Sequence, residues 1–390
     1  MLTGTDEHGM KIQKAAENVG VDTKIFCDET MRQFELLTGK ADMKHDRFIR
    51  TTDQDHIETV AQVWRELDRR GYIYQSDHQG WYSISDETFY PATAVHLIRD
   101  PATGKTQMVS IETGKEVEWT SEKNYHFELS AFQKPLLDYY KQNPQWIMPR
   151  TRMNHIVKEV ESGLEDLSIS RPATRLKWGI PVPGNPSQTV YVWLDALMNY
   201  LTQAGYPPAA AAQGESSIWP PNLQVIGKDI IRFHCIYWPA FLMALDLPLP
   251  KQILTHAHWT MNRAKMSKSA GNVVNPFYAI DRFGVDTMRH YMIHDGGILD
   301  DSSYDNAFII ERYKTSLQGK LGNLVSRIMR GKRWDVYASV KTAKDTEYDE
   351  RSSAHRNWLI KLRSSVEHCF NNLDPRMALQ TIMDMINQVR

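Results

Sequence analysis

Lys265-Met266-Ser267-Lys268-Ser269 sets two ammonium groups three residues apart, with Ala270, Gly271, Asn272, Val273 and Val274 behind them. Lysine is a compact point charge on a flexible stem, so such a loop can follow charge that migrates along a phosphate chain. A solvated surface loop is the plain alternative for any Lys-x-x-Lys, but the whole pentapeptide is far rarer by chance. A second polar group, Asp6-Glu7-His8, follows the short run Leu2-Thr3-Gly4-Thr5. In an open parallel sheet, the carboxyl ends of strands face the ligand crevice; the alternative is that these residues cap the next helix. A third group is aromatic: Trp193, Ala196, Leu197 and Tyr200 recur at helical spacing, as do Ile230, His234, Tyr237, Trp238 and Phe241. Such stripes usually pack a core, but one histidine amid aromatics can also line a pocket for an apolar, polarisable side chain.

These groups need elements to hold them. The pattern predicts a strand ending at Thr5, a helix over 10–19 closed by Gly20, and a helix capped by Thr52 with the stripe Ile57, Val60, Ala61, Trp64 and Leu67, ended by Gly71. From Gln75 to about Trp119, aromatic and β-branched residues alternate with turn signals such as Asp100-Pro101-Ala102-Thr103-Gly104, which predicts a β-rich insertion. Helices are expected over 130–143 and 153–163, then a buried strand at 189–192 feeding Trp193, and a strand at 223–226 feeding a helix over 230–245. Asn275-Pro276 opens a helical stretch to about Ile293, and the pattern from Asp305 onward is helical, with 334–348 as a link. There Phe308, Ile309, Tyr313, Leu317, Leu321, Leu324 and Ile328 are expected to form a core stripe. Beside it run Asn323, Arg327, Arg330 and Trp334, a stripe able to contact bases or simply a solvated basic face.

Composition bounds the rest. The 390 residues allow two or three domains, and 42% hydrophobic with 24% charged residues is ordinary for a globular chain. No apolar run approaches the roughly 18 residues of a membrane span. With a formal charge of −1, nucleic-acid contact requires a local basic patch. Cys27, Cys235 and Cys369 are few, distant and odd in number, which argues for a reducing compartment and against a disulfide framework.

Taken in order, the blocks Leu2-Thr3-Gly4-Thr5-Asp6-Glu7-His8-Gly9, Leu164 to Arg171, Tyr191-Val192-Trp193-Leu194-Asp195-Ala196, Ile226-Gly227-Lys228-Asp229 with His234, Lys265 to Ser269, and Asn323-Leu324-Val325-Ser326-Arg327 resemble those of the methionyl-tRNA synthetases of class I. The resemblance implies an α/β fold: an incomplete Rossmann-like catalytic domain with a β-rich insertion, followed by an all-α anticodon-binding bundle. The expected segments are 1–74 (catalytic, first part), 75–128 (insertion), 129–258 (catalytic, second part), 259–304 (loop and stem-contact region) and 305–390 (helical anticodon-binding domain). It implies methionine activation by ATP, carried with Mg²⁺ as substrate, and transfer to initiator and elongator methionine tRNA, with no membrane partner. Asp6 is expected to hold the methionine ammonium, and Trp193, Ala196, Leu197, Tyr200, Ile230, His234, Tyr237 and Trp238 its side chain. Gly227, Asp229 and His256 are expected near the nucleotide, and Arg171 in the polar network around the site. Lys265 and Lys268 are expected to follow the triphosphate, and Asn323 and Arg327 to read the anticodon.

The chain also departs from the family pattern. The family's His-x-Gly-His motif precedes the Asp6 block and is not in this sequence, so the chain is expected to be a piece cut at both ends and inactive as it stands. No cysteine lies between Cys27 and Cys235, so no zinc is expected in the insertion. Leu197 stands where many members carry proline, and Arg263 where glycine is common. The zinc-free insertion and Leu197 most resemble organellar enzymes of bacterial type, which implies the mitochondrial matrix, otherwise the cytoplasm. Two rival readings stay open: a non-catalytic tRNA-binding or scaffold protein descended from a synthetase, and a class I enzyme for another amino acid.

Overall fold

The computed structural model describes residues 1–84, 88–90, 92–99, 104, 106–207, 218–261, 264–266, 272–330, 335–342 and 350–389. The chain divides into two compact units, one of Met1–Thr38 with Lys44–Thr255, the other of Gly39–Met43 with His256–Arg390.

In the first unit β1 (Leu2–Thr5) lies parallel to β2 (Arg47–Arg50), with Leu2 opposite Arg47 and Thr5 opposite Arg50. A Cβ on Gly4 would stand 1.8 Å from the Ile49 carbonyl oxygen, so the close approach of the two strands requires glycine. Helix α1 (Met10–Val19) ends at Gly20 in the left-handed conformation, as its glycine C-cap predicts. After α2 (Thr23–Lys40), α3 (Gln54–Arg69) buries Val60, Val63, Trp64 and Leu67. Thr52 does not cap it. Asp53 takes the N-cap position, and the Thr52 hydroxyl donates instead to Glu7 Oε2 at 2.6 Å, because a buried carboxylate needs donors more than an exposed helix end does.

The predicted insertion is a β structure. Strand β3 (Ile73–Ser83) runs between β4 (Thr88–Tyr90) and a long antiparallel partner, β7 (Glu118–Phe127), while β5 (Val95–Arg99) and β6 (Thr106–Ser110) make a separate antiparallel pair. Helix α4 (Gln133–Gln142) carries Pro135 within its first turn, where no backbone donor is needed. Then come β8 (Ile147–Met148), α5 (Arg150–Glu161), and β9 (Leu167–Ser168), which pairs with β7. Strands β10 (Ser170–Pro172) and β11 (Pro181–Val182) flank β12 (Asn185–Val190). That strand feeds α6 (Val192–Leu197) and α7 (Asn199–Ala204). Finally β13 (Gln224–Gly227) leads through a 3₁₀ turn and a π-helical stretch at Phe233–Tyr237 into α8 (Trp238–Ala244), and β14 (Ile253–His256) lies between β13 and β8. One apolar core runs through this unit, from Val60 to Ile253.

The second unit has its own small core of Ala279, Met288, Tyr291 and Ile309. Strand β15 (Trp259–Met261) pairs with β16 (Ala264–Lys265) and with β17 (Ser302–Ser303). Between them, α9 (Pro276–Phe283) is capped by Asn275, whose side chain accepts from the Phe277 and Tyr278 amides; Gly284 breaks the helix before α10 (Val285–Asp295). Helix α11 (Asn306–Arg312) continues through a π-helical stretch, Tyr313–Gly322, into α12 (Asn323–Met329). This corrects the expected core stripe. Ile309 is fully buried, but Phe308, Tyr313, Leu321 and Ile328 are exposed. A π-helix has more residues per turn than an α-helix, so the π stretch rotates Leu321 and Ile328 off the face that α-helical spacing assigns them. Phe308 and Tyr313 stand before it or at its start, and it does not explain their exposure. The expected link at 334–348 contains a helix, α13 (Val336–Thr342). Helices α14 (Glu350–Asn371) and α15 (Pro375–Val389) follow as predicted. Among the described residues, no helix is long and apolar enough to cross a membrane.

Candidate active site

The turn after β1 is fixed by its neighbours. Glu7 is 4% exposed and accepts from Arg50 Nε at 2.7 Å, from Arg50 at its other oxygen at 2.8 Å, and from the Thr5 and Thr52 hydroxyls. Its amide donates to Thr51 Oγ1 at 2.9 Å, and its carbonyl accepts from Trp178 Nε1 at 2.6 Å. A forked guanidinium on a carboxylate is among the stronger and most directional contacts available to a side chain. His8 is also buried, its Nδ1 2.6 Å from Asp195 Oδ2. Between these two anchored residues and β1 stands Asp6, exposed. None of the three caps α1, whose N-cap is Gly9 with no side-chain hydrogen bond, so the capping alternative falls.

Asp195 lies on α6 and is completely buried. Its second oxygen meets His56 Nε2 of α3 at 2.8 Å, and His56 Nδ1 meets Thr202 Oγ1 of α7 at 3.0 Å. Burial works against ionisation of Asp195, but its interactions with His8 and His56 outweigh that, and the carboxyl stays below its ordinary range.

The aromatic residues also meet. Trp193 of α6 stacks on Phe233, ring centres 3.6 Å apart and planes within 8°. His234 is edge-on to Trp193 and to Tyr200, and Tyr200 leans on Trp238. His234 Nδ1 donates to the Ile230 carbonyl at 3.1 Å, which fixes the tautomer, because a carbonyl can only accept. Nε2 therefore accepts the Tyr200 hydroxyl, 3.1 Å away. Burial pushes the His234 ring down to about 4, against the Ile230 hydrogen bond that favours the proton, and pushes the Tyr200 hydroxyl up to about 12. Both groups are neutral at physiological pH, so the wall carries polar handles without charge. Leu197, Tyr237 and Trp238 are buried; Trp193, Ala196, Tyr200 and Ile230 are partly open.

Arg171 is 2% exposed. It donates to the Ser168 hydroxyl at 3.0 Å and the Ser170 carbonyl at 2.7 Å, and its guanidinium lies 4.6–5.2 Å from the ring centres of Tyr191, Phe89 and Tyr82. Gly227 closes β13, and Asp229 is exposed in the following 3₁₀ turn.

Other expected site residues belong to the second unit. His256 is exposed, with Nδ1 donating to the Ala257 carbonyl at 2.8 Å. Lys265 ends β16, its backbone opposite Thr260; its side chain and all of Lys268 lie outside the described residues. Asn323 and Arg327 sit one turn apart on α12, Asn323 half-buried and Arg327 exposed.

Sequence reasoning overlooked the roles of Glu7, Arg50, His56 and Asp195. Arg50 and His56 stand in no motif. Asp195 did leave a signal, a lone carboxylate inside the otherwise apolar run from Val190 to Leu197.

A family model described as tRNA synthetases class I (M) matches residues 1–329. A probable mitochondrial methionine–tRNA ligase of Neurospora crassa is 51% identical over 397 residues, covering 100% of this chain and 64% of that protein. The mitochondrial methionine–tRNA ligase of Candida albicans is 42% identical over 415 residues, covering 100% of this chain and 71% of that protein. Among solved structures, Mycobacterium tuberculosis methionyl-tRNA synthetase bound by methionyl-adenylate superposes with a TM-score of 0.88 at 38% identity, covering 99% of this chain and 74% of the other. The chain thus spans somewhat less than two thirds of the Neurospora protein's length.

Proposed function

This chain belongs to the methionyl-tRNA synthetases of class I, of organellar and bacterial type, and from that premise we propose that its protein activates methionine with ATP and transfers it to methionine tRNA. In the first step a methionine carboxylate oxygen attacks the α-phosphorus of Mg²⁺-bound ATP, and pyrophosphate leaves with the β–α bridging oxygen. In the second a ribose hydroxyl at the tRNA end attacks the acyl carbon, and AMP leaves.

The observation that carries this reading is the neutral His234–Tyr200 pair inside a wall of Trp193, Phe233 and Trp238. A thioether fits there, gaining about 0.3–1.5 kcal/mol per aromatic contact beyond simple burial. A charged side chain does not, since nothing ionised in that wall offers it a partner. Asp6 takes the methionine ammonium; Trp193, Ala196, Leu197, Tyr200, Ile230, His234, Tyr237 and Trp238 take its side chain; Arg171 supports the site. Gly227, Asp229 and His256 contact the nucleotide, and Lys265 and Lys268 stabilise charge on the departing pyrophosphate. Asn323 and Arg327 read the anticodon of initiator and elongator methionine tRNAs. The mitochondrial names of the fungal relatives support a mitochondrial matrix enzyme.

ATP–pyrophosphate exchange across a panel of amino acids tests the reading. Exchange that depends on methionine, and falls steeply with leucine, isoleucine, valine or cysteine, is expected. Binding of methionine tRNA without any exchange points to a non-catalytic relative, and exchange driven by another amino acid overturns the substrate assignment.

A further inference from the structure

We propose that Asp195, with His8 and His56, is the positioning device that sets the spacing between the two halves of the amino-acid pocket; this rests on the methionine-activating reading. The geometry is that of one buried carboxylate gripped from both sides. Oδ2 meets His8 Nδ1 at 2.6 Å and Oδ1 meets His56 Nε2 at 2.8 Å, with Asp195 and His56 both fully buried. An ionised carboxylate is acceptor-only, so each imidazole presents an N–H, and neither oxygen is left to water.

What the bridge joins is the reason to give it a role. His8 stands two residues after Asp6, the proposed ammonium partner. Asp195 stands two residues after Trp193 on the same short helix, α6. His56 belongs to α3, whose Val60, Val63, Trp64 and Leu67 are set in the main core. Its other nitrogen holds Thr202 on α7, the helix that carries Tyr200. Thus the turn bearing Asp6 and the helix bearing Trp193 are referred to α3 through one carboxylate, and the helix bearing Tyr200 is referred to it through the other nitrogen of His56. Short helices of six residues, such as α6 and α7, have little stability of their own, so their placement depends on such tertiary anchors. A ligand held at both its ammonium and its thioether is sensitive to that spacing, since a shift of about 1 Å can cost a hundredfold where groups must align.

The test measures binding without chemistry. Titration calorimetry with methionine, and with the analogue carrying hydroxyl in place of the α-ammonium, is run on the wild type, Asp195→Asn, His8→Ala and His8→Asn. Hydrogen exchange is followed in the ligand-free proteins. Asp195→Asn should weaken methionine about 10- to 100-fold and narrow its preference over the hydroxy analogue by about tenfold, because the Asp6 contact is what slips. His8→Ala should do the same. His8→Asn, whose amide nitrogen stands where Nδ1 stood, should recover most of the loss; an alignment role predicts this rescue. A folded Asp195→Asn with unchanged affinity and preference overturns the proposal. If Asp195→Asn does not fold, the His8 pair decides, and equal binding by Ala and Asn overturns it. If the wild type binds no methionine, the substrate reading fails while the bridge is judged by exchange. Asp195→Asn or His8→Ala should then speed exchange at the Glu7 and Gly9 amides and over 192–197 together, and unchanged exchange overturns it.

Discussion

His234 shows how one side chain ties chemistry to stability. Its ring lies near 4 in the folded protein against an ordinary 6.5, because burial penalises the charged form. Above pH 6.5 both states are neutral, and the group adds no pH dependence. As pH falls from 6.5 towards 4 the unfolded chain takes up the proton and the folded one does not, so stability is lost across that window, on the order of 3 kcal/mol. Urea unfolding of wild type and His234→Phe at several pH values checks this. The variant should be weaker at pH 7, having lost the Tyr200 and Ile230 hydrogen bonds, but its slope between pH 6.5 and 4 should be shallower; equal slopes would contradict the assignment. Lys268 makes a different prediction. If it acts on charge that develops only as pyrophosphate leaves, Lys268→Ala should lower adenylation kcat about 10²- to 10³-fold with methionine KM nearly unchanged. A rise in KM alone would place the lysine in ground-state binding.

At the scale of elements, β1 depends on Gly4. With an added Cβ 1.8 Å from the Ile49 oxygen and 2.7 Å from its Cγ2, Gly4→Ala must push β1 away from β2. Overpacking of this kind costs about 1–3 kcal/mol, sometimes more. The displaced turn carries Asp6, Glu7 and His8, so methionine affinity should fall together with the melting temperature. A melting temperature lowered with methionine affinity untouched would show that the turn is held by Arg50 and Asp195 independently of its strand. Helix α12 carries a separate prediction. Asn323 and Arg327 stand one turn apart on it, and if that surface reads the anticodon, Arg327→Ala should weaken charging of methionine tRNA with adenylation nearly intact. Comparable loss in both assays would make the residue structural. The π-helical stretch before α12 explains why α-helical spacing misplaced Leu321 and Ile328: backbone hydrogen bonding to the fifth residue back depends on local strain and packing, which residue type does not reveal.

For the whole molecule, two compact units imply two cooperative transitions. The first unit is built on the large cluster from Val60 to Ile253, the second on Ala279, Met288, Tyr291 and Ile309. Eight tryptophans (64, 81, 119, 146, 178, 193, 219 and 238) fall in the first unit, so fluorescence reports mainly on it, whereas far-UV circular dichroism also weighs the helices of the second. Denaturant curves from the two probes should not coincide. Methionine at a hundred times its Kd should stabilise the fluorescence-detected transition by about 2.7 kcal/mol. Coincident curves, or a methionine shift confined to the dichroism signal, would contradict this division of labour.

The motif blocks, through their resemblance to the methionyl-tRNA synthetases, placed the family and implied the α/β class. The β insertion, the helical end and the aromatic stripes were legible from local spacing: glycine after a helix, alternation in a strand, aromatic residues every third and fourth position. The glycine at 20 and Asn275 before α9 read correctly for that reason, whereas the one helix expected through Trp193 and Tyr200 is two short helices parted at Met198. What depended on the tertiary structure were partnerships across long stretches of chain. Thr52 reads as a cap until a buried Glu7, 45 residues earlier, competes for its hydroxyl. Asp195 reads as one letter of a motif until His8, 187 residues away, and His56, 139 away, close on its two oxygens. A buried charge must be satisfied by whatever the fold brings to it, and no local rule states which distant side chain that will be.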